Sequence, residues 1–127
     1  MDMLPILYIG LGGFLGSISR FLVAKYTTNF LGTFPIGTLL VNVTGSFIIA
    51  FISYSVLFGK NISPDFRNFA TIGFIGAYTT MSTFSFETMR FLDQGEYGYF
   101  ALNLFLNISL CLIAIALGRY CALLLSR

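Results

Sequence analysis

Residues 73–87 constrain the fold most, because a stretch rich in glycine and hydroxyl side chains lies inside an apolar segment. It reads Gly-Phe-Ile-Gly-Ala-Tyr-Thr-Thr-Met-Ser-Thr-Phe-Ser-Phe-Glu. Glycine adds backbone freedom, and Ser and Thr compete for backbone hydrogen bonds, so this stretch favours a helix broken in mid-membrane. Non-helical backbone at that depth survives only inside protein or beside a wet cavity. The alternative is a small-residue packing face whose hydroxyls bond their own helix.

The composition requires lipid as part of the solvent. The chain of 127 residues is 57% hydrophobic and 9% charged, against about 25% charged in soluble domains. Four segments have the roughly 20 apolar residues that a membrane span needs: 4–26, 36–58, 66–92 and 97–124. The sequence therefore predicts an all-α membrane protein, a single domain over 1–127 with four transmembrane helices.

The basic residues are almost evenly divided between the two predicted sides of the membrane. If both termini lie on one side, that side carries Lys60, Arg67 and Arg127 with Arg119 nearby, and the other carries Lys25 and Arg90 with Arg20 nearby. Because the Lys and Arg bias of short loops sets orientation, a chain with so slight a bias is expected to insert both ways. Two oppositely oriented copies would then form an antiparallel pair.

Several classes of function lack their characteristic residues. The chain has no histidine, the usual proton shuttle and metal ligand, and no stretch resembles a phosphate loop, a nucleophile elbow or a nucleic-acid patch. Cys111 and Cys121 both fall in the last span, where we interpret them as small packing residues. We expect neither an enzyme nor a nucleic-acid partner.

Three motifs resemble the Fluc (CrcB) family of fluoride channels. They are Gly-Gly-Phe-Leu-Gly-Ser-Ile-Ser-Arg (12–20), Gly-Thr-Leu-Leu-Val-Asn-Val-Thr-Gly (37–45) and Gly-Phe-Ile-Gly-Ala-Tyr-Thr-Thr-Met-Ser-Thr-Phe-Ser (73–85). The match follows all four spans in the same order, so it is more specific than any single glycine pair. The resemblance implies passive, fluoride-selective export across the cell membrane, which lowers cytoplasmic fluoride. It also implies an antiparallel, dual-topology homodimer with two pores.

The resemblance also implies roles for individual residues. Asn42 is the pore asparagine, and the main-chain carbonyls of Gly76 and Thr79 hold a central, structural Na⁺ that is not transported. The family's Thr-Thr-Phe-Ser-Thr-Phe pattern supplies two pore phenylalanines. Phe84 is the second of them here, but Met81 stands in place of the first. Met lacks the positive ring edge that an anion can approach.

The residue chemistry fits an anion path. Fluoride is strongly hydrated, so a pore must replace its water with hydrogen-bond donors. The candidates are Asn42, Thr80, Ser82, Thr83, Asn107 and Ser109, with the ring edge of Phe84. Arg20 is a candidate vestibule residue, because basic side chains at an entrance favour anions. Ordinary packing for Phe84, and helix–helix contact for Asn42, are the alternatives.

Three other functions are also compatible with the sequence. A small proton-coupled four-helix exporter would need a titratable carboxylate inside the bundle, and Glu87 is the one candidate, with Arg90 near enough to pair with it. A subunit of a two-chain fluoride channel would take the missing phenylalanine from a different partner. A non-transporting assembly subunit would also explain Met81.

Overall fold

The computed structural model describes residues 2–28 and 32–127, and every regular element in them is helical. The long helices are α1 (Leu4–Thr27), α2 (Ile36–Leu57) and α6 (Tyr97–Ser126). Between α2 and α6 lie α3 (Pro64–Arg67), a π-helical segment (Asn68–Ile75), α4 (Gly76–Tyr78) and α5 (Met81–Asp93). Part of the first predicted loop, 29–31, lies outside the described residues.

Helices α1, α2 and α6 are long and apolar enough to cross a membrane, and they agree closely with three of the predicted spans. The remaining predicted span, 66–92, is occupied by the shorter consecutive segments from α3 to α5. Large apolar side chains point outward, as Phe14 (65% exposed) and Phe105 (67% exposed) show. Soluble proteins seldom expose continuous apolar surface, so this surface is typical of a multi-pass membrane protein.

Helix α1 packs against the π-helical segment with the two backbones in contact. Gly12 and Gly16 are the buried residues of α1. A Cβ at Gly12 would collide with the Phe69 carbonyl, and one at Gly16 with the Phe74 carbonyl. A Cβ on Gly73, from the other side, would lie 2.6 Å from the Ile9 carbonyl oxygen. Small residues thus give the close approach by which membrane helices associate.

Helices α2 and α6 form the second close pair. A Cβ at Gly118 of α6 would lie 2.5 Å from the carbonyl oxygen of Phe47 on α2. The largest side chains that are fully buried are Val41 and Asn103, one from each helix. The core between these helices is therefore narrow and partly polar.

An aromatic cluster closes one end of the bundle. Phe34, just before α2, stacks on Phe91 of α5 with ring centroids 6.3 Å apart, and Tyr99 of α6 lies 5.4 Å from Phe91. The turn from α5 to α6 passes through Gly95, whose φ of 74° suits glycine. The Glu96 N–H donates to the Phe91 carbonyl at 2.8 Å, which ends α5 directly beside the cluster.

The contact between α1 and the π-helical segment can be tested with one methyl group. Gly16→Ala should lower the free energy of unfolding by about 1–3 kcal/mol, because the added Cβ meets backbone that cannot move aside. The measurement is thermal unfolding in detergent. Gly10→Ala on the same helix is the matched control, since a Cβ there has no neighbour within 4 Å. Equal effects of the two substitutions would contradict the packing described here.

Candidate functional site

The candidate site is built around an interruption between α4 and α5. The last helical bond before it runs from the Thr79 N–H to the Ile75 carbonyl at 3.0 Å. Thr79 then adopts φ −82° and ψ 156°, and Thr80 φ −150° and ψ 115°, both extended conformations. Helix α5 begins at Met81, with the Thr80 hydroxyl accepting from the Thr83 N–H at 3.2 Å as its N-cap.

The side chain of Asn42 on α2 pairs with the backbone at this interruption. Its Oδ1 accepts from the Thr80 N–H at 2.8 Å, and its Nδ2 donates to the Thr80 carbonyl at 3.1 Å. A Cβ on Gly45, less than one turn further along α2, would collide with the Thr79 side chain. Gly45 therefore lets α2 approach close enough for Asn42 to hold Thr80 at two points.

The interruption leaves the four carbonyls of residues 76–79 without the N–H that a continuous helix would give them, and for two of the four that N–H is held by a side chain. The Thr80 N–H would donate to Gly76, but it donates to Asn42. The Thr83 N–H would donate to Thr79, but it donates to the Thr80 hydroxyl. The Thr79 hydroxyl bonds the Ile75 carbonyl instead of these two oxygens. Carbonyl oxygens suit a hard cation, so these two fit the ligand set that the family resemblance implies.

A relay of buried amides continues from Asn42 into α6 and α5. Asn42 Nδ2 donates to Asn107 Oδ1 at 3.2 Å, and Asn107 Nδ2 donates to the Asn103 carbonyl and Oδ1 at 3.1 and 3.0 Å. Asn103 Nδ2 donates to the Thr88 hydroxyl at 2.9 Å, which donates to the Phe84 carbonyl. Thr88 and Asn103 were not among the site residues predicted from the sequence, although Asn103 stands one helical turn before Asn107.

One groove collects most of the predicted site. It has a volume of about 540 Å³, and its lining includes six of the predicted residues: Asn42, Thr79, Thr80, Met81, Phe84 and Asn107. Phe84 is only 5% exposed, whereas Met81 is 73% exposed at the groove wall. The ring is therefore held in the protein, and the thioether is free to meet whatever fills the groove.

A second, more polar cavity lies beside Arg20. Its volume is about 280 Å³, and its polar lining comes from α1, α2 and the start of α5: Ser17, Arg20, Thr38, Thr80, Thr83 and Glu87. Thr80 lines both this cavity and the groove. A buried threonine thus stands between a cavity with a cationic side chain and the groove with the amides.

The pattern of one protein family, described as "CrcB-like protein, Camphor Resistance (CrcB)", matches residues 7–119. The chain belongs to the CrcB family. Three similar proteins carry the name "Fluoride-specific ion channel FluC". Those of Methanococcus maripaludis and Campylobacter lari are 49% and 45% identical over 117 and 115 residues, covering 92% and 89% of this chain and 94% and 93% of theirs. That of Methanococcus aeolicus is 42% identical over 125 residues, covering 98% of this chain and all of its own.

Of the eight predicted pore residues of this CrcB-family chain, three do not line the groove. Ser109 lines a separate, apolar groove of about 490 Å³, and its hydroxyl bonds the Phe105 carbonyl of its own helix. Ser82 is exposed and lies 3.4 Å from the Thr80 hydroxyl, and Thr83 borders the Arg20 cavity. The structure therefore brings Ser82 and Thr83 to the interruption but leaves Ser109 on another face.

The carboxylate of Glu87 contacts α2. Its Oε1 accepts from the Thr38 hydroxyl at 2.8 Å, and its Oε2 is buried and has no hydrogen-bond partner within the described residues. The hydrogen-bond partner is therefore Thr38, while Arg90, which three-residue spacing suggested, borders the same cavity as Glu87. Spacing along one helix could not reveal a partner on another helix.

Proposed function

We propose that this chain is a fluoride-selective channel of the cell membrane, which lets fluoride leave passively down its gradient and is not an enzyme. The observation that carries the proposal is the groove at the helix interruption, where the family's motif residues meet. The relatives named as fluoride-specific channels align with nearly the whole chain, so the motifs match in their full context. Multi-pass insertion agrees with the apolar helices and the apolar outer surface.

In this proposal, α3 to α5 together make the third of four spans, interrupted in mid-membrane at Thr79 and Thr80. The segments run consecutively over 64–93 and are separated only by these two extended residues. The backbone polar groups of Thr80 have partners in Asn42, which meets the condition for non-helical backbone inside a membrane.

Fluoride replaces an internal acceptor when it enters the groove. Both hydrogens of Asn42 Nδ2 already have partners, and the bond to Asn107 Oδ1, at 3.2 Å, is the longer one. An anion in the groove takes this hydrogen, and the charge makes the new bond stronger than the one between neutral amides. The hydroxyls of Ser82 and Thr83 rotate to donate as well, and the edge of Phe84 completes the lining. Arg20 draws anions into its cavity.

The groove becomes a closed pore when a second copy covers it. One chain supplies an open, mainly apolar wall on which Met81 and Leu112 are 73% and 65% exposed. The even distribution of Lys and Arg favours an antiparallel partner, so the proposed assembly is a dual-topology homodimer with two pores.

The proposed assembly holds a structural Na⁺ on its axis, with Gly76 and Thr79 as main-chain ligands. Their carbonyls are the two whose helical donors are diverted to side chains. Antiparallel copies bring the same two oxygens from opposite directions. An uncharged carbonyl set suits a monovalent ion better than Mg²⁺, which keeps its water and prefers carboxylates.

The proton-coupled exporter remains the second candidate because Glu87 is half-buried and one of its carboxylate oxygens has no hydrogen-bond partner in 2–28 and 32–127. A carboxylate in that state is a functional-site candidate within a membrane. It differs from a channel in one measurable way, since its fluoride transport would depend on a proton gradient.

Liposome flux separates these functions. Purified protein should release fluoride down its gradient at the same rate with and without a proton gradient, and chloride far more slowly. Asn42→Leu should abolish the flux, because the variant removes both amide donors and the acceptor for Thr80. Thr71→Val is the matched control, since within the described residues the Thr71 hydroxyl bonds only the Arg67 carbonyl, four residues earlier in the chain. Equal fluoride and chloride efflux, or none of either, would refute the channel.

Met81 offers a test of the aromatic lining. Met81→Phe should raise fluoride throughput, because it adds a ring edge at an exposed position that has room for it. Phe84→Ile should lower throughput severely while keeping the site apolar. The measurement is initial fluoride efflux per dimer. If Met81→Phe leaves the efflux unchanged or abolishes it, the groove is adapted to methionine, and the pairing of this chain with a different, phenylalanine-bearing chain gains support.

Dual topology can be read from one loop residue. Asn61 is exposed between α2 and α3, so a cysteine there reports which side of the membrane that loop occupies. In a background with Cys111→Ala and Cys121→Ala, Asn61→Cys should be labelled from both sides by an impermeant reagent. Adding lysines to this loop should shift the population to one orientation and lower the flux. Labelling from a single side would exclude the antiparallel homodimer.

A further inference from the structure

We infer that Asn42 and Thr80 are positioning residues of the cation site. Each side chain accepts a hydrogen bond from a backbone N–H that would otherwise bond one of the ligand carbonyls, those of Gly76 and Thr79, within a continuous helix. The inference rests on the proposed function for the presence of the cation. Asn42 thus has a second role besides that of a pore donor, which is to hold the Thr80 N–H. The Thr80 hydroxyl, which lines the groove, has the further role of holding the Thr83 N–H.

The geometry gives each ligand carbonyl its own capturing side chain. Asn42 Oδ1 holds the Thr80 N–H at 2.8 Å, away from Gly76, four residues earlier. The Thr80 Oγ1 holds the Thr83 N–H at 3.2 Å, away from Thr79, again four residues earlier. An N–H and a cation compete for the same carbonyl lone pairs. Capturing both N–H groups therefore leaves both oxygens available to a metal.

Asn42 is held firmly enough to act in this way. Its Nδ2 donates to the Thr80 carbonyl at 3.1 Å and to Asn107 Oδ1 at 3.2 Å, so three hydrogen bonds fix the carboxamide plane. Asn107 is in turn fixed by Asn103, which is fully buried. Loss of Asn42 therefore releases the Thr80 N–H. Neither Asn107 nor Asn103 contacts this N–H, so neither can replace Asn42 as its acceptor.

The sharper test uses Thr80, because valine keeps the shape of threonine without its hydroxyl and serine keeps the hydroxyl without the methyl group. Thr80→Val keeps the volume but removes the acceptor, so the Thr83 N–H is free to extend α5 back onto the Thr79 carbonyl. Thr80→Ser keeps the acceptor. Thr71→Val is an isosteric control whose lost hydroxyl bonds only the carbonyl four residues earlier.

The experiment measures the thermal stability of the dimer in detergent while Na⁺ replaces N-methylglucamine at constant ionic strength. A ligand that binds the folded state stabilises it according to its concentration relative to its dissociation constant. Thr80→Val should raise about tenfold the Na⁺ concentration at which the unfolding temperature begins to increase, as expected for one lost hydrogen bond of ordinary strength. Thr80→Ser and Thr71→Val should keep the wild-type value.

The outcomes distinguish this inference from the proposed function. If the wild type shows no Na⁺ dependence, the cation site itself is absent and the inference falls with it, while fluoride flux can still stand. If the wild type depends on Na⁺ but the unfolding temperature of Thr80→Val begins to rise at the same Na⁺ concentration, the Thr80 hydroxyl is merely structural and the inference is wrong. Asn42→Leu, where it assembles, should raise that concentration as well, and an unchanged value there would overturn the role of Asn42.

Discussion

The structure depends on the two-point hydrogen bond between the Asn42 carboxamide and the backbone of Thr80. An unsatisfied backbone N–H or C=O costs several kcal/mol in lipid, so an interrupted span is stable only when a side chain replaces the missing helical partners. Asn is suited to this task because its amide presents one acceptor and a donor group in one plane, as a peptide does. Removing Asn42 would leave the Thr80 N–H without its partner, whereas the Thr80 carbonyl, as that of the N-cap residue, would keep the first hydrogen bond of α5.

Three glycines allow the backbones to pack closely around the contact between Asn42 and Thr80. Gly45 lets α2 reach Thr79, and Gly12 and Gly16 let α1 lie directly on the backbone of the π-helical segment that leads to the interruption. In a membrane, association of helices depends on packing and hydrogen bonds because lipid removes the hydrophobic drive between them. Close backbone packing and hydrogen bonds between side chains and backbone therefore stabilise the association of these helices. Both kinds of contact involve residues 68–80.

Local composition predicted the spans of α1, α2 and α6, because a long apolar segment is visible in the sequence itself. It also favoured irregular backbone near Thr79, because hydroxyl side chains compete for the backbone hydrogen bonds of their own neighbours. It could not predict that Thr88 accepts from Asn103, or that Thr38 rather than Arg90 bonds Glu87, because these are contacts between helices. The π-helical form of Asn68–Ile75 was also not predicted. Of the site residues that lie in the three motifs, Asn42, Thr79, Thr80, Met81 and Phe84 line the groove. Ser109, which was predicted from its hydroxyl and lies outside the motifs, bonds its own helix.

In the proposed channel, an interrupted helix would let one locus serve an anion and a cation together. The N-terminal turn of α5 presents N–H groups and the positive end of its dipole, while the chain that ends at Tyr78 presents carbonyls and the negative end. Split helices in membranes use these ends for anions and cations respectively. Here the two ends are separated by only Thr79 and Thr80. In the proposed channel, the same side chains that turn N–H groups away from the cation's carbonyls therefore also shape the start of α5 beside the fluoride path, so the two sites cannot vary independently.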